Sequence, residues 1–210
     1  MNAGLHIPVP REFTGLARQF LQDVRVNSDI CNEFWDDMDA AFARGDRTTG
    51  KVRPEYIVGK MRQWRQIDHW STLALKYNDT KTKNGYPEFT LCSLAPAKWG
   101  GDWDGTEPSI AIWVRMLHMK KRSIIRVAKP LAIIGLHALA RYFQRSINPD
   151  RGTLIKELIV VGKWVVETPL PVEDCAICIP TKTGKWVGEY TGCDQDTLNE
   201  RIFAVRSYIG

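Results

Sequence analysis

Apolar residues at Phe13, Leu16, Ala17, Phe20, Leu21 and Val24 fall at i, i+3, i+4, i+7, i+8 and i+11, one stripe along an α-helix entered from an extended Ile7-Pro8-Val9-Pro10 segment. Ser28 or Asp29 can cap a second helix, in which Ile30, Phe34, Met38, Ala41 and Phe42 repeat the period and Gly45 is placed to end it. Pro54 suits the first turn of a third, with Ile57, Met61, Trp64 and Ile67 continuing toward His69. The first third of the chain is predicted to be helical, and the polar stretch 45–53 is the one candidate linker.

At Trp70 the period changes. WSTLALKY (70–77) and EFTLCSLA (88–95) are β-prone, and the NDTKTKNGYP between them reads as a long hairpin loop. After the loop GGDWDGTEP, the segments IAIWVRMLHM (110–119) and RSIIRVA (122–128) predict a strand pair or one bent strand, closed by Pro130. In LHALARYFQRS, Leu136, Leu139, Ala140, Phe143 and Ile147 share one side of a helix that Asn148-Pro149-Asp150 ends, and a shorter helix is expected over Leu154 to Ile159. CAICIP, GKWVGEYTG and RIFAVRSYIG then predict an antiparallel meander. Helices, strands, a helix pair and strands again indicate an α+β fold: a helical subdomain over 1–68, and an α+β domain over 69–210 built on a mainly antiparallel sheet with a packed helix pair.

The 210 residues are 44% hydrophobic and 25% charged, which excludes a disordered or collagen-like chain. At this length roughly 70% of the unfolded surface can be buried, with no disulfide or metal required. Lys and Arg number 29 against 24 Asp and Glu, a formal charge of +5 that favours anionic partners such as nucleic acid. The N-terminus lacks a basic signal region, and the longest uncharged stretch, Pro130 to Ala140, is far short of the ~20 apolar residues a membrane span needs. Five irregularly spaced cysteines fit a reducing compartment, so a cytoplasmic protein with no membrane contact is expected. Export of an unprocessed chain by a dedicated machine would leave no trace. There is no phosphate-binding glycine loop, nucleophile elbow, zincin helix or dinucleotide fingerprint, so NTPases, common serine hydrolases and zincins are unsupported.

One constellation carries chemistry. At about 100° per residue, with Leu136 at zero, His137, Arg141 and Arg145 fall near 100°, 140° and 180°, an edge from the core boundary into solvent. An imidazole beside two permanent cations suits phosphodiester cleavage by a neighbouring ribose hydroxyl, which needs a proton carrier and charge to hold a pentacoordinate phosphate, and calls for no metal or cofactor. The alternative is a solvated helix flank. His69 and His118 compete for the same role from strand edges, and His6 lies near a terminus.

The run HALARYFQRS, the helix TLIKELI and strands ending in GKWVGEYTG and RIFAVRSYI resemble, over residues 130–210, the layout of small RNase toxins of the barnase, EndoU, colicin and RelE superfamily. That resemblance implies a toxin-type, metal-independent endoribonuclease acting on RNA, with a cognate inhibitor as a further partner. His137 would match the helix histidine, Arg141 and Arg145 the basic residues after it, and Thr191 or Arg206 the polar groups of the later strands. No second histidine stands in the meander, which leaves the acid role to Tyr190, Lys185 or Tyr208.

Other signals each have a plainer counterpart. Cys175 and Cys178, with Cys193 and Cys92, have the residue types of a zinc site or are buried free thiols; Asp102, Asp104 and Glu107 could meet a cation or form a solvated turn. Trp99, Trp103 and Trp186 could stack on bases or plug core edges. Lys120, Lys121, Arg122 and Arg126, and a separate cluster at Lys81 and Lys83, could form one positive face for nucleic acid together with Trp186 and Arg206, or serve solubility. Two further classes stay open: a non-catalytic nucleic-acid or protein-binding module of phage or mobile-element origin, and an interaction or immunity protein without nucleic-acid affinity.

Overall fold

A computed structural model describes residues 8–48, 72–78, 88–98, 107–119, 124–147, 149–168, 175–191 and 202–210. Its elements are α1 (Arg11–Thr48), β1 (Thr72–Asn78), β2 (Glu88–Lys98), β3 (Pro108–Met119), β4 (Ile124–Gly135), α2 (Leu136–Arg145), α3 (Arg151–Glu167), β5 (Ile177–Pro180), β6 (Lys185–Thr191) and β7 (Ile202–Ile209). The fold is α+β. The helix expected from Pro54 lies outside the described residues.

The two helices expected on either side of Ser28 are one. Ser28 is buried within α1, and its hydroxyl donates to the Arg25 carbonyl at 2.8 Å instead of capping a new start. Gly45 is likewise carried inside the helix, at a cost of about 1 kcal/mol relative to alanine. Of the predicted stripe, Ala17, Phe20 and Val24 enter the same core as the strands and Phe13 and Leu21 pack against it, whereas Leu16 is exposed.

The strands form a seven-stranded sheet in the order β1-β2-β3-β4-β7-β6-β5. β1 to β4 form one antiparallel meander and β5 to β7 another, joined by parallel pairing of β4 with β7. Pro130 does not close β4. Trp113 pairs with Pro130 while Ile112 pairs with Ala132, so Leu131 is an extra residue, and this bulge absorbs an imide nitrogen that cannot donate to the ladder. Inside lie Ile110, Ile112 and Val114 of β3, Ile134 of β4, Leu139 and Phe143 of α2, Leu158 of α3, and Trp186, Phe203 and Tyr208 of the second meander.

α2 differs most from its helical wheel. All six residues from Ala138 to Phe143 are buried, because the helix is covered by α1 on one side and β7 on another. It ends at Arg145 with Ser146 in extended conformation, so Ile147 leaves the apolar face where the wheel put it and is 92% exposed. α3 is longer than expected at 17 residues, started by the Asp150 carboxylate accepting from the Thr153 amide at 2.9 Å. Arg151 beside it forms an ion pair with Asp23, tying α3 to α1.

Candidate functional site around His137

α2 begins where β4 ends, at Gly135, which has no side chain with which to cap the helix. Glu107, at the entry to β3, supplies the missing acceptor: its Oε1 takes the His137 amide hydrogen bond at 2.7 Å. A carboxylate there also opposes the positive end of the helix dipole. Gly135 makes the approach possible, since a Cβ at that position would lie 3.0 Å from Glu107 Oε2. The hydroxyl of Ser109 donates to the Glu107 carbonyl at 3.0 Å, which fixes the local chain. The position of His137 is thus set by a residue 30 positions earlier.

One turn on, Arg141 donates from Nε to His137 Nε2 at 3.4 Å and from Nη1 to Gln144 Oε1 at 2.9 Å. Because Nε2 accepts, the neutral imidazole carries its proton on Nδ1. A proton on Nε2 would set donor against donor, so uptake there requires this long contact to open. Arg141 is only 5% exposed, against the solvated edge expected from spacing, on a helix packed against both α1 and β7. Burial, and next the charge of Arg145, lower its guanidinium from the ordinary value without discharging it.

Arg145 is exposed, but eight residues past His137 it stands about 12 Å farther along the helix axis, and its Nη1 donates to the Tyr208 carbonyl at 3.0 Å. The structure therefore joins His137 to Arg141 and sets Arg145 at the far end of α2.

Three expectations from sequence are corrected. Tyr190 cannot serve as an acid: it is buried, its ring lies edge-on to Phe203 at 5.4 Å, and burial raises its phenol pKa. Trp186 has no face for a base, being fully buried, stacked on Tyr142 at 5.7 Å and in edge contact with Tyr208 at 4.9 Å. Arg206 is not an open phosphate ligand, since both its Nε, at 3.0 Å, and its Nη2 donate to Glu189 Oε1. Tyr208 is also buried and shares a 2.8 Å hydrogen bond with Thr183.

Lys120, Lys121, Arg122, His69, Trp99, Trp103 and Cys193 lie outside the described residues. Ile124, where β4 begins after the first three of these, is eleven residues from Gly135, about 36 Å at ~3.3 Å per residue. Arg126 on the same strand is nine residues away, about 30 Å. The Ile124 end of β4 is not the end that leads into α2 and His137. Cys175 and Cys178, expected buried if not metal-bound, are exposed free thiols, and among the described residues no group of three or more metal-ligating side chains is assembled. No helix among the described residues is long and apolar enough to cross a membrane.

Sequence reasoning missed Glu107 as a partner of the helix and Gln144 as an acceptor. Gln144 had a local signal, three residues after Arg141. Glu107 had none, its contact being purely tertiary. Comparison with known protein families, curated proteins and solved structures finds no match.

Proposed function

We propose that the protein is a metal-independent, endoribonuclease-like protein acting on RNA, with His137 as its proton carrier. The observation that carries this reading is the contact of half-buried His137, through Nε2, with Nε of buried Arg141, at 3.4 Å, on a helix start fixed by Glu107. A guanidinium beside an imidazole provides charge for a phosphate where the proton moves. In the proposed step Arg141 turns from Nε2 toward the phosphate, and Nε2 takes the proton of a ribose 2′-hydroxyl. That oxygen attacks phosphorus, the bond to the 5′-oxygen breaks, and the imidazolium returns its proton to the leaving oxygen. The products are a 2′,3′-cyclic phosphate and a 5′-hydroxyl.

The resemblance of residues 130–210 to small RNase toxins points the same way, and a cognate inhibitor and a cytoplasmic site of action belong to this proposal. The test is His137→Ala in a cleavage assay on single-stranded RNA with a chelator present. Loss of a positioned acid–base group lowers the rate 10²–10⁴-fold; a variant cleaving at the wild-type rate refutes the assignment.

A second reading, nucleic-acid binding without cleavage, is favoured by the burial of Arg141 and Tyr190, which leaves His137 and Arg145 as the exposed or half-exposed members of the expected set. Retained RNA affinity with no product over long incubation would decide for it.

A further inference from the structure

Resting on the reading that the protein acts on RNA, we propose that Arg141 is a latch on the base and Gln144 the positioning residue that holds it, so that a phosphate must take the guanidinium before His137 Nε2 can take a proton. His137, Arg141 and Gln144 stand at i, i+4 and i+7 of α2, which puts them on one stripe of the helix within about 60° of each other. Arg141 is bonded to both neighbours, from Nε to His137 Nε2 at 3.4 Å and from Nη1 to Gln144 Oε1 at 2.9 Å. The two bonds are unequal. The contact with Gln144 has the ordinary length of a hydrogen bond, whereas the one with the imidazole is longer than that. The imidazole contact is therefore the one that opens, and the guanidinium turns about its anchor on Gln144.

Held in this way, the resting site has a base whose lone pair is occupied. Nε2 faces a cationic donor, so the neutral ring carries its hydrogen on Nδ1 and takes no second proton while the contact stands. A phosphate competes for the same guanidinium, and competes well, because arginine can give it two parallel charge-assisted bonds. Transfer of Arg141 to the phosphate does two things at once: it bares Nε2 and it sets a positive charge beside phosphorus. Arg141 is buried whereas His137 and Gln144 along the stripe are half-buried, so the turn that bares Nε2 also brings the guanidinium out toward their rim. The imidazole keeps its place meanwhile, since the His137 amide is bonded to Glu107 at 2.7 Å. A ribose hydroxyl with no phosphate beside it meets a closed latch, which selects for a phosphodiester as the substrate class.

The first test needs no RNA. In isotope-labelled protein at about pH 8, above the ordinary imidazole range, a long-range proton–nitrogen correlation spectrum reads which ring nitrogen of His137 carries hydrogen. The expected result is Nδ1 in the wild type and mainly Nε2, the form a free imidazole side chain prefers, in Arg141→Met. Gln144→Ala should fall between the two, and Gln144→Glu, which keeps the acceptor, should match the wild type. On cleavable RNA, Gln144→Ala leaves Arg141 without its anchor and lowers kcat by up to about 10²-fold. Gln144→Glu instead adds a charge that repels the phosphodiester, so it raises KM and spares kcat. Hydrogen on Nε2 in the wild type, or on Nδ1 in Arg141→Met and Gln144→Ala alike, overturns the latch while leaving the RNA reading intact. An unchanged kcat in Gln144→Ala overturns the positioning role. The expected tautomers in a protein that neither binds nor cleaves RNA overturn the RNA reading, and the phosphate gate with it.

Discussion

The capping of α2 by Glu107 makes a prediction whose size depends on background. Glu107→Ala removes the acceptor of the His137 amide, worth about 1 kcal/mol as a helix cap, and a carboxylate at the positive end of the helix, worth about 0.3–1 kcal/mol. A loss of about 1.5 kcal/mol is expected, or roughly 3–6 °C in Tm at this chain length. Gly135 has φ −74° and ψ 161°, a conformation open to any residue. Gly135→Ala should therefore stabilise the protein by about 0.4–1 kcal/mol through the unfolded chain alone. In the wild-type background the new Cβ, at 3.0 Å from Glu107 Oε2, makes the flexible end of that side chain give by a few tenths of an ångström, which offsets part of the gain. With Glu107 already alanine the obstruction is gone and Gly135→Ala gives the whole gain. Urea denaturation of the four proteins, followed by circular dichroism, measures the coupling, expected to exceed about 0.3 kcal/mol. If Gly135→Ala has the same effect in both backgrounds to within about 0.3 kcal/mol, the carboxylate does not stand against Gly135 as argued.

Burial pushes the Tyr142 phenol up to about 12 and raises Tyr190 and Tyr208 in the same direction. A raised folded-state value favours the protonated form, so this stability is whole below the unfolded value of about 10 and lost as pH climbs toward 12; for Tyr142 alone the two units amount to about 3 kcal/mol. Alkaline titration followed by tyrosinate absorbance should show these rings ionising together with unfolding, and ionisation near 10 in a folded protein would contradict their burial. The hydrogen bonds from Thr153, its hydroxyl first and then its amide, lower the Asp150 carboxyl pKa. Its contribution is present above the ordinary carboxyl range and lost as pH falls through the lowered folded value, and Asp150→Ala should cost about 1 kcal/mol at neutral pH in a thermal melt.

Strand positions were legible because alternation and turn residues are local signals, and Thr-Lys-Thr-Gly between β5 and β6 marks a real connection. The α+β class followed from their order. Misplaced boundaries share one cause, in that a local stop signal was overridden by packing. Ser28 satisfied its hydroxyl inside a helix, and Pro130 was accommodated by a bulge. In the site, the His137–Arg141 neighbourhood was readable from four-residue spacing. The burial of Arg141, Trp186 and Tyr190 was not, because a wheel drawn for one helix cannot show that α1 lies over it, nor which face of β6 meets the core. Glu107 illustrates the limit most clearly: no window short enough for a periodicity argument contains both it and His137.

The parallel seam has a kinetic consequence. Among the described residues Ala132, Ile133 and Ile134 alone meet Phe203, Ala204 and Val205 there, and the first partners, 132 and 203, are 71 positions apart. Each meander can zip from its own hairpins, whereas this short zipper must wait for a long loop to close, a loop shortened in effect by winding up α2 and α3. It should thus be among the last contacts made and the first to breathe. Since His137 follows Ile134 by three residues, opening of this seam would reach the imidazole directly.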